Sequence, residues 1–195
     1  MGLKVCITLD DVIRKKTYQI GKIFKKNVNE NIILENLDFS TNDFQKIFGF
    51  KDKESYEKFL YDEYSFEIFG EAKGTEDLIG DKINHWILKM EDEFEDGDFE
   101  VILSNTREFN QSIGCTYFFL SKIATRVRKV FFPKDSNDIW EECDVLVTAD
   151  VDLLKSKPEG KISVKILTDY NKDCESDYSY DKLSDFLEDE KILKQ

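Results

Sequence analysis

Short apolar runs alternate along this chain with longer stretches whose apolar residues recur at helical spacing, and that alternation restricts the fold more than any other feature. Leu3 to Thr8, Phe99 to Ser104, Lys129 to Phe132 and Asp144 to Thr148 are brief, rich in β-branched or aromatic residues, and bounded by breakers or charge. Lys161 to Leu167 is a fifth candidate strand. Between them, the segment from Glu76 to Phe94 places Leu78, Ile79, Ile83, Trp86, Ile87 and Met90 on one helical stripe. The segment from Glu108 to Thr125 does the same with Ile113, Tyr117, Leu120, Ile123 and Ala124. Another helix is expected to begin at Asp11-Val12-Ile13, directly after the first strand. Strands separated by helices of this length build βαβ units, so the expected fold is α/β, a three-layer Rossmann-like arrangement around a mainly parallel sheet.

One interval departs from the alternation. From about Asn27 to Lys73 there is no convincing strand, and Phe39, Phe44, Phe48, Phe50, Tyr56, Phe59, Tyr64, Phe66 and Phe69 lie among charges. Their spacing fits two or three short amphipathic helices broken near Gly49 and Gly70. The expected division is therefore a core of residues 1–26 and 74–195 with a small helical cap insertion at 27–73. Extra helical core is the alternative reading, and aromatic content alone does not separate the two.

A length of 195 residues and 41% hydrophobic content suit one domain with a real core. The formal net charge of -13 argues against nucleic acid or an anionic membrane as partner and favours solubility or docking onto a basic protein patch. Two acidic clusters add to this: Glu91 to Glu100, interrupted by Gly97, and the tail from Asp169 to Glu190. Each reads as a solvated face or as an interaction surface. The tail also carries Tyr178, Tyr180, Leu183, Phe186 and Leu187 at near-helical spacing, which predicts a terminal helix. No signal pattern is expected at the N-terminus, and no apolar stretch approaches the ~18 residues of a membrane span. Cys6, Cys115, Cys143 and Cys174 make no Cys-x-x-Cys pair, and His85 is the sole histidine, so neither a zinc site nor a cysteine-histidine pair is indicated. Widely spaced cysteines in apolar segments read as small hydrophobes in a reducing compartment, hence a cytoplasmic location. The abundance of Lys, Asn, Phe, Tyr and Ile suggests an AT-rich genome, as in many bacteriophages and some bacteria.

An open α/β sheet binds ligands beyond the carboxyl ends of its strands. Those positions hold Thr8-Leu9-Asp10, Ser104-Asn105-Thr106, Pro133-Lys134 and Thr148-Ala149-Asp150. Ser104 could donate to a phosphate oxygen, or Ser104, Asn105 or Thr106 could cap the following helix. Lys134 is either a phosphate-neutralising cation or part of a turn, and Asp10 is either a functional acid or the start of a helix, where negative charge is favourable.

This order resembles the haloacid dehalogenase (HAD) superfamily of phosphatases from about Leu3 to Asn171. In its layout, with a helical insertion after the first motif, the chain is most similar to small 5'(3')-deoxyribonucleotidases and related phage or bacterial proteins. The resemblance implies Asp-x-Asp after the first strand, the first Asp a nucleophile and the second a general acid and base. It further implies Ser or Thr after the second strand, a Lys, and an acidic pair after the fourth, with Mg²⁺ held through carboxylates. Thr8 stands at the nucleophile position and Asp10 at the second acid; Thr148-Ala149 replace the acidic pair, with Asp150 and Asp152 just beyond. Taking Asp10 itself as nucleophile would put Val12 at the second acid. The resemblance therefore implies a degenerate site at Thr8, Asp10, Ser104 and Lys134, with no cofactor. The expected role is structural or protein-binding, as a homo-oligomer or in phage virion assembly. Two alternatives stay open. One is a Mg²⁺-dependent nucleotidase using Asp10 and Asp150, and the other a phosphate or nucleotide sensor that does not hydrolyse its ligand.

Overall fold

The computed structural model describes residues 2–94, 98–106, 108–135, 137–189 and 192. Each predicted run forms a strand: β1 (Leu3–Thr8), β2 (Phe99–Ser104), β3 (Lys129–Phe131), β4 (Val145–Thr148) and β5 (Ile162–Ile166). All pair in parallel, in the order β3-β2-β1-β4-β5-β6. The last of these, β6 (Tyr178–Tyr180), lies where tyrosine spacing predicts a helix. Three residues are too few to display a period of two. They pair with Val164, Lys165 and Ile166 of β5, and Asp177 just before them anchors the join, its carboxylate accepting the Ser163 N–H at 2.7 Å and the Ser163 hydroxyl at 2.9 Å. The terminal helix begins later, as α8 (Leu183–Glu188).

Successive strand residues face opposite layers, as the pleat requires. Val5, Ile7, Val101, Leu103, Val145 and Val147 join a cluster with Ile83 and Trp86 of α4 (Ile79–Glu93) and with Phe186. Cys6, Ile102 and Leu146 face the other way, onto Ile139 and Trp140 of α6 (Asn137–Glu142) and Leu153 of α7 (Val151–Lys155). The Trp140 indole N–H donates to the Leu153 carbonyl at 3.1 Å, so its burial strands no donor. The sheet is thus covered on both faces, which is why its strands read as nearly continuous apolar runs. All four cysteines are free thiols, Cys6 and Cys143 buried. Among the described residues, no helix is long and apolar enough to cross a membrane. Glu95, Asp96 and Gly97 of the first acidic cluster and Glu190 of the second lie outside the described residues.

Three local expectations are corrected. Asp11 to Ile13 form a turn, not a helix: Asp11 has φ 58°, and α1 spans Lys16–Asn27. The Asp11 carboxylate caps α1 from outside, accepting the Thr17 N–H at 2.9 Å and the Thr17 hydroxyl. Leu78, placed on the α4 stripe, instead precedes the helix at φ 56° and is 74% exposed. In α5 (Gln111–Lys122) the buried face holds Ser112, Thr116, Phe119 and Leu120, whereas Tyr117 is 51% exposed. Polar partners inside the fold, described below, select Thr116 over the bulkier Tyr117. Gly114 lies on the exposed side of α5 with nothing within 4 Å of an added Cβ. Gly114→Ala should therefore stabilise the protein by roughly 0.5–1 kcal/mol, read as a higher urea midpoint.

Between α1 and α4 the chain makes short helical elements: α2 (Phe44–Ile47), α3 (Lys53–Lys58) and π-helical turns at Phe59–Glu63 and Phe66–Gly70. Ile20, Ile23 and Phe24 of α1 pack with Phe48, Phe59, Leu60, Ile68 and Phe69 in an apolar cluster of their own.

Candidate functional site

The strand order reverses at β1, which has β2 on one side and β4 on the other. There the carboxyl ends of the strands open into a cleft of about 620 Å³, whose opposite wall is α3 and Tyr61 of the helical segment. Thr8, Asp10, Lys134 and Asp150 all line it.

Thr8 is buried, and its hydroxyl donates to Thr148 Oγ1 at 3.1 Å. Thr148 Oγ1 also accepts the Asp150 N–H at 3.0 Å, and the Ala149 carbonyl accepts from the Asn171 amide at 3.1 Å. Of these three positions only Thr8 lines the cleft, and buried beneath it Thr148 and Ala149 are held by neutral hydrogen bonds.

Asp10 lies at the centre of a charged network. Its Oδ1 accepts from Arg14 Nε at 2.7 Å, and its Oδ2 from Lys16 Nζ at 2.6 Å and Asn105 Nδ2 at 2.9 Å. Arg14 is wholly buried; its other nitrogens donate to Thr116 Oγ1 at 2.6 Å and to Glu108. Glu108 Oε1 also accepts from Asn105 and from Thr116, each at 3.0 Å. Two cations and two carboxylates are thereby paired in charge, all of the Glu108 bonds falling on Oε1 while its Oε2 is buried without a hydrogen-bond partner among the described residues. Burial by itself would raise the Asp10 carboxyl, but Arg14 and then Lys16 outweigh it and hold it at about 2.

Asp11 and Tyr170 form a second polar unit. Tyr170 donates to Asp11 Oδ2 at 2.9 Å, and its ring meets Phe44 edge-on with centroids 5.6 Å apart. Burial pushes the Asp11 carboxyl up, against the hydrogen bonds from Thr17, with the Asp10 charge adding to the rise. Burial, then the Asp11 charge, pushes the Tyr170 hydroxyl well above its ordinary range.

The remaining sequence candidates divide. Asp150 caps α7, Oδ1 accepting the Asp152 N–H at 2.8 Å and the Leu153 N–H at 3.3 Å, while Oδ2 accepts from Thr106 at 2.9 Å. Asp152 is exposed on α7. Ser104 is buried, and its hydroxyl donates to the Phe131 carbonyl at 2.7 Å, which commits it to the sheet. Asn105 and Thr106 do not cap α5, which starts at Gln111; they bond Asp10 and Asp150 instead. Sequence reasoning missed Arg14, Lys16, Glu108 and Tyr170. Arg14 and Lys16 follow Asp10 by four and six residues, but a basic residue just before or at the start of a helix carries no mark of burial in the sequence.

The Asp10 carboxyl titrates lower folded than unfolded, so its contribution is complete above the unfolded value near 3.9 and disappears as pH falls through about 2. The contribution is about 2 kcal/mol. Asp11, raised, works the other way and recovers stability on acidification. Urea titrations between pH 5 and pH 2 should show an acid loss that Asp11→Asn makes steeper, because the compensating proton uptake is gone.

Two solved structures superpose on nearly the whole chain. A haloacid dehalogenase-like hydrolase from Burkholderia xenovorans LB400 aligns with TM-score 0.58 and 9% identity over 100% of this chain and 99% of that one. A dehalogenase aligns with TM-score 0.54 and 8% identity over 95% of each chain. The chain has the HAD-like fold. No family model and no curated protein matches its sequence. The HAD-like arrangement implies Mg²⁺, and the donor set can be tested against it. Mg²⁺ takes near-octahedral oxygen coordination through one or two carboxylates. Both Asp10 oxygens carry cationic donors, and both Asp150 oxygens accept hydrogen bonds from α7 and Thr106. Among the described residues, no three His, Cys, Asp or Glu side chains converge as a metal-holding group. These residues do not fit the ion.

Proposed function

We propose that this chain is a HAD-fold binding protein that does not transfer phosphoryl groups. The observation that carries the reading is the Asp10 carboxylate, paired through both oxygens with Arg14 and Lys16 beside a Thr8 hydroxyl committed to Thr148. A carboxyl that Arg14 and Lys16 hold well below the usual carboxylate range, against the pull of burial, is ionised at pH 7. It is a poor general acid there and a weak base once ionised. Among the described residues, the Thr8 hydroxyl is hydrogen-bonded to the Thr148 hydroxyl and the Val147 carbonyl, neither of which is a base able to activate it as a nucleophile.

Charge weakens the phosphate-sensor alternative. The cleft is lined by three lysines, Lys16, Lys53 and Lys134, and four carboxylates, Asp10, Asp11, Glu57 and Asp150. A phosphomonoester dianion would meet a net negative lining on a protein of net charge -13. A protein partner is the better match. Phe66, in the π-helical turn Phe66–Gly70, and Phe118 of α5 have ring centroids 5.0 Å apart and are 44% and 46% exposed, and Tyr117 of α5, beside Phe132, is 51% exposed. Aromatic anchors surrounded by charge are what a protein interface uses. The excess of carboxylates favours a basic partner.

Assays with nucleoside monophosphates and Mg²⁺ test the reading. No turnover above buffer is expected. Turnover that disappears in Asp10→Asn would overturn it and restore a phosphohydrolase working through Asp10 and Asp150.

A further inference from the structure

We infer that Lys16 is a tethered cation serving Asp10 where a divalent ion would otherwise do so, and that the cleft is closed to such ions. The inference rests on the binding-protein reading, but metal occupancy rather than turnover tests it.

Lys16 is not a loose surface lysine. It opens α1, whose first turn is tied down by Asp11 through Thr17, and its side chain is only 15% exposed. The ammonium lies 2.6 Å from Asp10 Oδ2 and 5.4 Å from the centroid of the Phe69 ring. The Arg14 guanidinium carbon lies 4.8 Å from the same ring. Phe69 is fully buried and stacks on Tyr61 with centroids 5.4 Å apart, so the aromatic wall presses both cations onto one carboxylate. Arg14 and Lys16 balance Asp10 and Glu108 one for one. A divalent ion entering at Asp10 would bring two further positive charges into a neutral cluster and would displace an ammonium into contact with a guanidinium and a ring. Mg²⁺ also gives up water reluctantly, and Asp150, already bonded by two N–H groups and a hydroxyl, offers little in return.

Mn²⁺ alone serves as the probe, with bound ion counted by electron paramagnetic resonance on the full chain. Wild type and Asp10→Asn should bind Mn²⁺ identically, through surface carboxylates only. Lys16→Met should gain one further ion, lost again when Asp10→Asn is added. Lys16→Gln serves in its place if the Met variant does not fold. A wild-type site that Asp10→Asn removes would overturn the inference, and so would failure of the Lys16 variants to gain an ion. Mn²⁺ at Asp10 without phosphatase turnover would defeat this inference alone, whereas turnover would defeat the proposed function.

Discussion

Arg14→Met should cost the folded protein about 3–5 kcal/mol, the range for removing one partner of a buried ion pair. The guanidinium is wholly buried and joins its near neighbour Asp10 to Glu108 and Thr116, about a hundred residues further along the chain. Met fills similar volume, so the loss is electrostatic: Glu108 stays buried with only Asn105 and Thr116 to bond it. A lower urea midpoint at unchanged slope is the expected reading. Arg14→Lys should recover only part, because one ammonium cannot span three acceptors in the guanidinium's fork geometry. The double variant Arg14→Met with Glu108→Gln should cost less than the sum of the singles, since the stranded charge is gone. A single-variant loss under about 1 kcal/mol would mean that the cluster is not held together by charge.

Gly80→Ala should be comparably damaging for a steric reason. A Cβ at position 80 would lie 1.8 Å from the Ile123 carbonyl oxygen and 2.8 Å from its carbonyl carbon. The obstacle is backbone just beyond α5, so α4 and α5 would have to separate. Overpacking costs about 1–3 kcal/mol, and a clash with backbone rather than a movable side chain lies at the upper end. Thermal unfolding should fall by several degrees, whereas Gly114→Ala, the same chemical change on open surface, should raise it. Equal effects at the two glycines would contradict the close approach of α4 to the end of α5.

How far the structure was legible depended on the physics of each element. The strands from β1 to β5 could be read because both sheet faces are covered, which makes each an apolar run; β6 was hidden because three residues flanked by Asp177 and Asp181 show no pattern. The inner face of α4 could be read because apolar burial repeats every turn. That of α5 could not, since it turns Thr116 inward to meet Arg14 and Glu108. The candidate site was likewise half visible. Thr8, Asp10, Lys134 and Asp150 share one cleft because strand ends converge there, and Ser104 points into the sheet because its hydroxyl finds Phe131.

The sequence by itself determined the α/β class, a mainly parallel sheet, and the residues at the ends of its central strands, because periodicity and strand-end position are properties of a linear chain. Only the tertiary structure decided that Asp10 is neutralised from both sides, that Ser104 is unavailable, and that carboxylates and aromatic rings line one cleft with Thr8. Arg14 and Lys16 are close to Asp10 in sequence, but what buries and orients them is distant, Arg14 meeting Glu108 and Thr116, and Thr8 likewise meets Thr148. Burial makes such pairings strong, and no local pattern records them.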